Sequence, residues 1–257
     1  MLLVFDVGNT ETTVGLFDGE ALHAHWRMGT DATRTPDEVA STLLALLQLR
    51  GLDRAAVTGA AVGSVVPAMN DGLAGGVEIL AGCTPLFVDA KSPLPITLDV
   101  LEPLTVGADR IINTLAAARL FASDTIVVDL GTATTYDCIT RDAVFLGGVI
   151  APGIRTSAET LFRRTSKLPA TELVPPATVI GRRTEECVRS GVVFGAAEAL
   201  DGIVRRIKGE WPTGREPLVV ATGGLAPMIA PIATTVDRVE PHLTLVGLRM
   251  AWELLRR

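Results

Sequence analysis

Residues 125–135 read Thr125-Ile126-Val127-Val128-Asp129-Leu130-Gly131-Thr132-Ala133-Thr134-Thr135. A β-branched apolar run ends on a carboxylate, a glycine follows two residues later, and the residues after it are small or carry hydroxyls. This order predicts a buried strand, a tight turn and a return strand from Tyr136 to Thr140. The N-terminus repeats it: Leu2 to Phe5, Asp6, Gly8-Asn9-Thr10, then a β-branched return from Thr12 to Phe17. At an offset of 123 residues Asp6, Gly8 and Thr12 fall on Asp129, Gly131 and Thr135. An internal duplication is the simplest explanation.

Working outward from the first copy, Asp18-Gly19 turns into a third strand, Ala21 to Arg27. Thr35-Pro36-Asp37-Glu38 then offers an N-cap, a proline at the first helical position and two first-turn acids, opening a helix to Leu49. A strand is expected from Ala60 to Val66, a helix from Met69 to Ala81 and a short strand from Pro85 to Val88. Residues 91–106 read as a surface loop, and an Ala/Leu/Ile helix follows from Gly107 to about Phe121. After the second acid turn come a strand from Val144 to Ile150, a helix from Thr156 to Arg164, and a long helix from Glu185 to Lys208. The glycines at 191, 195 and 202 suit that long helix to close packing. A strand from Leu218 to Ala221, a helix from Pro227 to Ile232 and a last helix from Leu243 to Leu255 close the chain. Two strand-then-helix units with no low-complexity linker predict paired α/β domains, 1–115 and 116–257, sharing a cleft. The last helix is free to pack back on the first domain.

Composition narrows the function. The 257 residues carry 23 Lys+Arg against 29 Asp+Glu, a formal charge of −6, which argues against a partner such as nucleic acid or an anionic membrane. Hydrophobic residues make up 48% and aromatic ones 4%, so the core is aliphatic and disorder is excluded. Cys83, Cys138 and Cys187 lie far apart with no CxxC pair, which disfavours disulfides and a zinc site. No basic leader or apolar run of membrane-spanning length is present, and a cytoplasmic location is expected.

A carboxylate at a strand end beside a Gly-containing hydroxyl-rich turn can hold Mg²⁺ through water while turn amides receive phosphate oxygens. A single such turn, Asp6 to Thr13, is more often an ordinary hairpin. The second turn at Asp129 changes the balance towards phosphoryl transfer, and Thr222-Gly223-Gly224 after a late strand is a third, glycine-rich turn, weak evidence on its own. Gly107-Ala108-Asp109-Arg110 opens a helix whose first amides suit an anion. There Arg110 can hold a carboxylate and Asp109 can accept a hydroxyl proton. The simpler alternative is a first-turn acid complementing the helix dipole, with Arg110 in water.

Taken together, the paired acid turns resemble the phosphate clamp of the actin, hexokinase and acetate kinase fold group. The full set is more specific: Asp6-Val7-Gly8-Asn9-Thr10, Val106 to Ile111, Val128 to Thr135, Gly147 to Gly153, Lys167-Leu168-Pro169, Ile180 to Thr184 and Ala221 to Leu225. In this order they resemble the type III pantothenate kinases over essentially the whole chain. The resemblance implies two tandem ribonuclease H-like α/β domains, duplicated mixed sheets with flanking helices, around a central cleft. It also implies ATP-dependent phosphorylation of pantothenate in the first step of coenzyme A synthesis. Asp6, Val7, Gly8, Asn9, Thr10, Glu11, Thr12 and Thr13 would form the ATP phosphate turn, with Asp6 near Mg²⁺ through water. Asp129 would bind a monovalent cation, K⁺ or NH₄⁺, and Thr132 would contact ATP. Gly107, Ala108, Asp109 and Arg110 would hold pantothenate, Asp109 being the general base and Arg110 the carboxylate partner. Thr184 would reach pantothenate at a homodimer interface. Members of the family often carry an aromatic residue where Val100 stands here. Two other readings remain at this level: another small-molecule kinase or phosphohydrolase of the same fold group, or an inactive nucleotide-binding accessory factor for gene expression.

Overall fold

Strand β1, Leu2–Val7, is buried along nearly its whole length because both of its faces are covered. In the computed structural model, which describes residues 1–256, it sits at the centre of a five-stranded sheet. Its neighbours are β2 (Glu11–Asp18), antiparallel, and β4 (Gly59–Ser64), parallel; β3 (Ala21–Gly29) and β5 (Leu86–Val88) form the edges. Leu3, Phe5 and Val7 face a core shared with Val39, Leu43, Leu73 and Val77 of helices α1 (Pro36–Gln48) and α2 (Asn70–Ala81). The other face is covered by the last helix, α7 (Leu243–Leu255), which packs on β1, β2 and β4. Its Thr244 hydroxyl bonds Asn113 Oδ1 of α3 (Ala108–Phe121) at 2.9 Å. Residues 1–96 and 100–116, with the segment from Leu243 onward, make up this unit.

The second unit contains residues 97–99 and 117–242. Its sheet runs β11-β10-β7-β8-β9-β6, from β6 (Thr97–Leu98), β7 (Thr125–Leu130), β8 (Ala133–Ile139), β9 (Val144–Pro152), β10 (Leu218–Thr222) and β11 (Arg238–Val239). Ile126, Val128 and Leu130 of β7 share a core with Val193, Ala197, Leu200 and Val204 of α5 (Thr184–Gly209). Helices α4 (Ile154–Arg164) and α6 (Ala226–Ile229) complete the unit. Asp201 of α5 is buried and receives hydrogen bonds from the backbone and hydroxyls of Thr234 and Thr235, tying the segment before β11 to the helix.

The duplication reaches the whole topology. Strands β3-β2-β1-β4-β5 repeat as β9-β8-β7-β10-β11, with β6 added at one edge. The 123-residue offset holds along β1 and β7 and then breaks in the turn. Asp6 pairs with Thr13 and Val7 with Thr12, whereas Asp129 pairs with Thr135 and Leu130 with Thr134. The second turn is one residue shorter, so Thr12 corresponds to Thr134 and not to Thr135. The irregularity at Leu16/Phe17 recurs at Cys138/Ile139 in the same shifted register. The expected long helix forms as α5, but its close packing is corrected: a side chain at Gly191, Gly195 or Gly202 would meet nothing within 4 Å, so these glycines serve no close packing within the chain. Residues 91–106, expected as loop, contain β6, and β11 was not expected at all. Two residues per strand give too little alternation to read.

Candidate active site

Asp6 lies at the carboxyl end of β1, where the parallel strands β4 and β5 also end. In open α/β sheets this is the edge at which ligands bind, because the loops leaving parallel strands diverge there. The turn after Asp6 is closed by Gly8 N–H donating to Glu11 O at 3.1 Å, and Asn9 and Thr10 are exposed at its tip. Val7 and Thr12 are buried, so their side chains face the protein, and only their backbone is available to a phosphate. Glu11 is ion-paired with Arg27 of β3, which offsets its charge beside the turn. The two strands are adjacent, so this pairing is local to the hairpin.

Gly107 to Arg110 begin α3 at the same end of the sheet. Asp109 is partly buried; burial pushes its carboxyl above the usual carboxylate range, against the opposing pull of the Arg110 amide and guanidinium. Asp109 Oδ1 accepts from Arg110 N–H at 2.9 Å. A Cβ at position 107 would stand 2.5 Å from that same oxygen, so glycine is what lets the carboxylate adopt this pose. Beside it opens a cavity of about 320 Å³ lined by Ser64-Val65, residues 89–91 and residues 104–108. Val100 is half-buried and is not among the lining residues. Ser64, Val65, Asp89 and Lys91 are not singled out by the sequence; the usable signal was their place at or just past the carboxyl ends of β4 and β5, which run parallel to β1.

In the second unit Asp129 occupies the equivalent strand end, and Gly131 N–H donates to Ala133 O at 3.1 Å. Thr132 is exposed, and its carbonyl accepts from the Thr156 hydroxyl of α4 at 2.8 Å. Thr222 of β10 lies beside Asp129 in parallel register, and Gly223 brings its backbone against the Asp129 carboxylate. Thr184 is exposed as the first residue of α5. Among the described residues no cluster of three or more His, Cys, Asp or Glu could hold a metal. A divalent ion would therefore be carried by one or two carboxylates with phosphate and water, the usual arrangement for Mg²⁺. None of the three cysteines forms a disulfide; Cys138 is buried and Cys187 exposed. Among the described residues no helix is long and apolar enough to cross a membrane.

Duplicated mixed sheets, each with an acid turn at the end of its central strand, define a protein of the actin, hexokinase and acetate kinase fold group. A solved structure of (R)-2-hydroxyglutaryl-CoA dehydratase component A from Acidaminococcus fermentans shares this fold with TM-score 0.53 and 14% identity over 100% of this chain and 99% of its own. A conserved candidate transcriptional activator of the Baf family from Campylobacter jejuni does so with TM-score 0.59 and 17% identity over 98% of each chain. These two likenesses concern fold alone. A model of the type III pantothenate kinase family matches residues 2–206, and a type III pantothenate kinase of Moorella thermoacetica is 42% identical over 255 residues, 98% of this chain and 99% of its own. The chain belongs to the type III pantothenate kinase family.

Proposed function

We propose that the protein transfers the γ-phosphoryl group of ATP to the primary hydroxyl of pantothenate, giving 4′-phosphopantothenate and ADP in the first step of coenzyme A synthesis. The carrying observation is the partly buried Asp109 carboxyl at the head of α3, beside a cavity of about 320 Å³. Asp109 accepts the hydroxyl proton as the oxygen attacks phosphorus; the new O–P bond forms while the bond to the ADP oxygen breaks. A carboxylate raised by burial is a stronger base than one in water, which suits this role. Arg110 holds the carboxylate of pantothenate, with Gly107 and Ala108 lining the cavity; Val100, outside that lining, is left without a contact role. The turn of residues 6–13 holds the phosphates through those amides not already used in closing it, and Thr132 contacts ATP. Asp6, through water, and Asp129 suit Mg²⁺ and a monovalent cation respectively, whose charge would offset that of the phosphates. Thr184 completes the pantothenate site in a cytoplasmic homodimer.

A coupled ATP-consumption assay with pantothenate, run with and without K⁺, tests substrate, reaction and cation together. Pantothenate-dependent ADP formation that rises with K⁺ is expected. Preference for another acceptor, among acetate, N-acetylhexosamines and water, would overturn the assignment.

A further inference from the structure

Thr30 follows β3 and is separated by 22 residues from the turn it touches. Its hydroxyl donates to Gly8 O at 2.7 Å, and its backbone N–H donates to Thr10 O at 3.1 Å. Two carbonyls of the turn after Asp6 are thus held by one residue outside it. A hydroxyl has one hydrogen, and here it goes to Gly8 O; the 2.9 Å contact between the Thr30 and Thr12 hydroxyls must then have Thr12 as donor. Thr12 is fully buried, so its hydroxyl is itself fixed, and the order Thr12 to Thr30 to Gly8 runs from the core to the turn.

The consequence follows from the planar trans peptide, whose C=O and N–H point to opposite sides. Turning Gly8 C=O towards Thr30 turns Asn9 N–H away from it, and fixing Thr10 C=O does the same to Glu11 N–H. Asn9 N–H is then held at the exposed tip, and Glu11 N–H, turned from β3, faces across the mouth of the turn; amides fixed in this way are the donors that an anion meets. We infer that Thr30 is a positioning residue for the nucleotide phosphates: its hydroxyl and amide orient the peptide planes at Gly8 and Thr10 so that the turn presents preset donors to ATP. The inference rests on reading residues 6–13 as the ATP phosphate turn.

The test is direct titration of ATP into purified wild type, Thr30→Val, Thr30→Ala and Thr30→Ser, with steady-state kinetics and thermal midpoints on the same preparations. Valine keeps the β-branched shape and removes the hydroxyl, both the donor to Gly8 O and the acceptor for Thr12; serine keeps both. Val and Ala should weaken ATP binding and raise KM for ATP about tenfold, since a carbonyl is left without its charge-neutral donor, while KM for pantothenate stays within about twofold. Ser should remain within about twofold of wild type. ATP affinity unchanged in Val and Ala overturns the inference, as does Ser binding as weakly as Val, or loss of folding in both Val and Ala. Wild-type protein that does not bind ATP overturns instead the reading of the turn.

Discussion

Gly223 presses its backbone against the carboxylate of Asp129. Its φ is +88°, and a Cβ there would overlap Asp129 Oδ1 and stand 2.8 Å from Leu130 N. A side chain at 223 therefore meets two obstacles at once, a backbone conformation that L-residues rarely adopt and the backbone of Leu130 beside the Asp129 carboxylate. Forcing alanine into it costs about 1–3 kcal/mol in strain, relieved only by moving Asp129 or the turn. Gly223→Ala is expected to lower kcat about 10²-fold and to shift K⁺ activation to higher concentration, because a small displacement of a charge-holding group is costly in phosphoryl transfer. Steady-state rates across a KCl series check this; an unchanged activation curve would separate Gly223 from the cation.

Asp109→Asn removes the proposed proton acceptor while keeping the oxygen that bonds Arg110 N–H. Turnover should fall by about 10²–10⁴-fold with ATP affinity nearly intact. In the wild type, activity should decline as pH falls through a carboxyl value above the ordinary 3.8, since burial holds Asp109 up. Stability moves the other way. A carboxyl raised in the folded state costs nothing below its unfolded value and progressively more as pH rises through the folded one. Asp109→Asn should therefore raise the thermal midpoint at neutral pH and leave it unchanged near pH 4. Calorimetry at both values decides, and a lower midpoint at neutral pH would count against the buried charge.

Asp201 is the opposite case. Burial pushes its carboxyl up, but the hydroxyls and amides of Thr234 and Thr235 outweigh this and hold it below 3.8. Its stabilising contribution is present above the unfolded value and is lost as pH falls through the lowered folded one. Asp201→Asn, which replaces one acceptor oxygen by a donor facing donors, should cost about 1–3 kcal/mol at neutral pH. Denaturant melts should show the difference from wild type shrinking as pH drops below 3.8. A constant difference across that range would mean that packing, not ionisation, carries the effect.

The parts of this site that could be read from sequence are those written in contiguous residues. Thr35 and Glu38 form the reciprocal cap their spacing predicts, and α1 begins where expected. The acid at each strand end is equally local, which is why β1 and β7 align residue for residue. What escaped is held by contacts distant in sequence. Thr30 reaches Gly8, Thr156 reaches Thr132, and Gly223 reaches Asp129, each across a separation that no periodicity encodes. The misplaced match of Thr12 to Thr135 has a similar origin. A one-residue difference in turn length leaves both threonine runs intact, and only the cross-strand pairing reveals which hydroxyl faces the core.

The proposed homodimer makes the last prediction. Val179 and Ile180 are 68% and 84% exposed just before α5, and Ile150 of β9 is 65% exposed in the same unit. Covering a large aliphatic side chain is worth about 1.5–3 kcal/mol, so burial of Val179 and Ile180 against a second copy would favour association. Thr184, the residue proposed to complete the pantothenate site, begins the helix directly after them. Ile180→Glu places a charge where an apolar contact would form. Sedimentation should show wild type at about twice the 27.0 kDa chain mass and Ile180→Glu near that of a single chain. If the partner supplies Thr184, the monomeric variant should lose affinity for pantothenate by about tenfold or more while ATP binding changes little. A wild type that sediments as a monomer at assay concentration and still turns over would remove the need for a second copy.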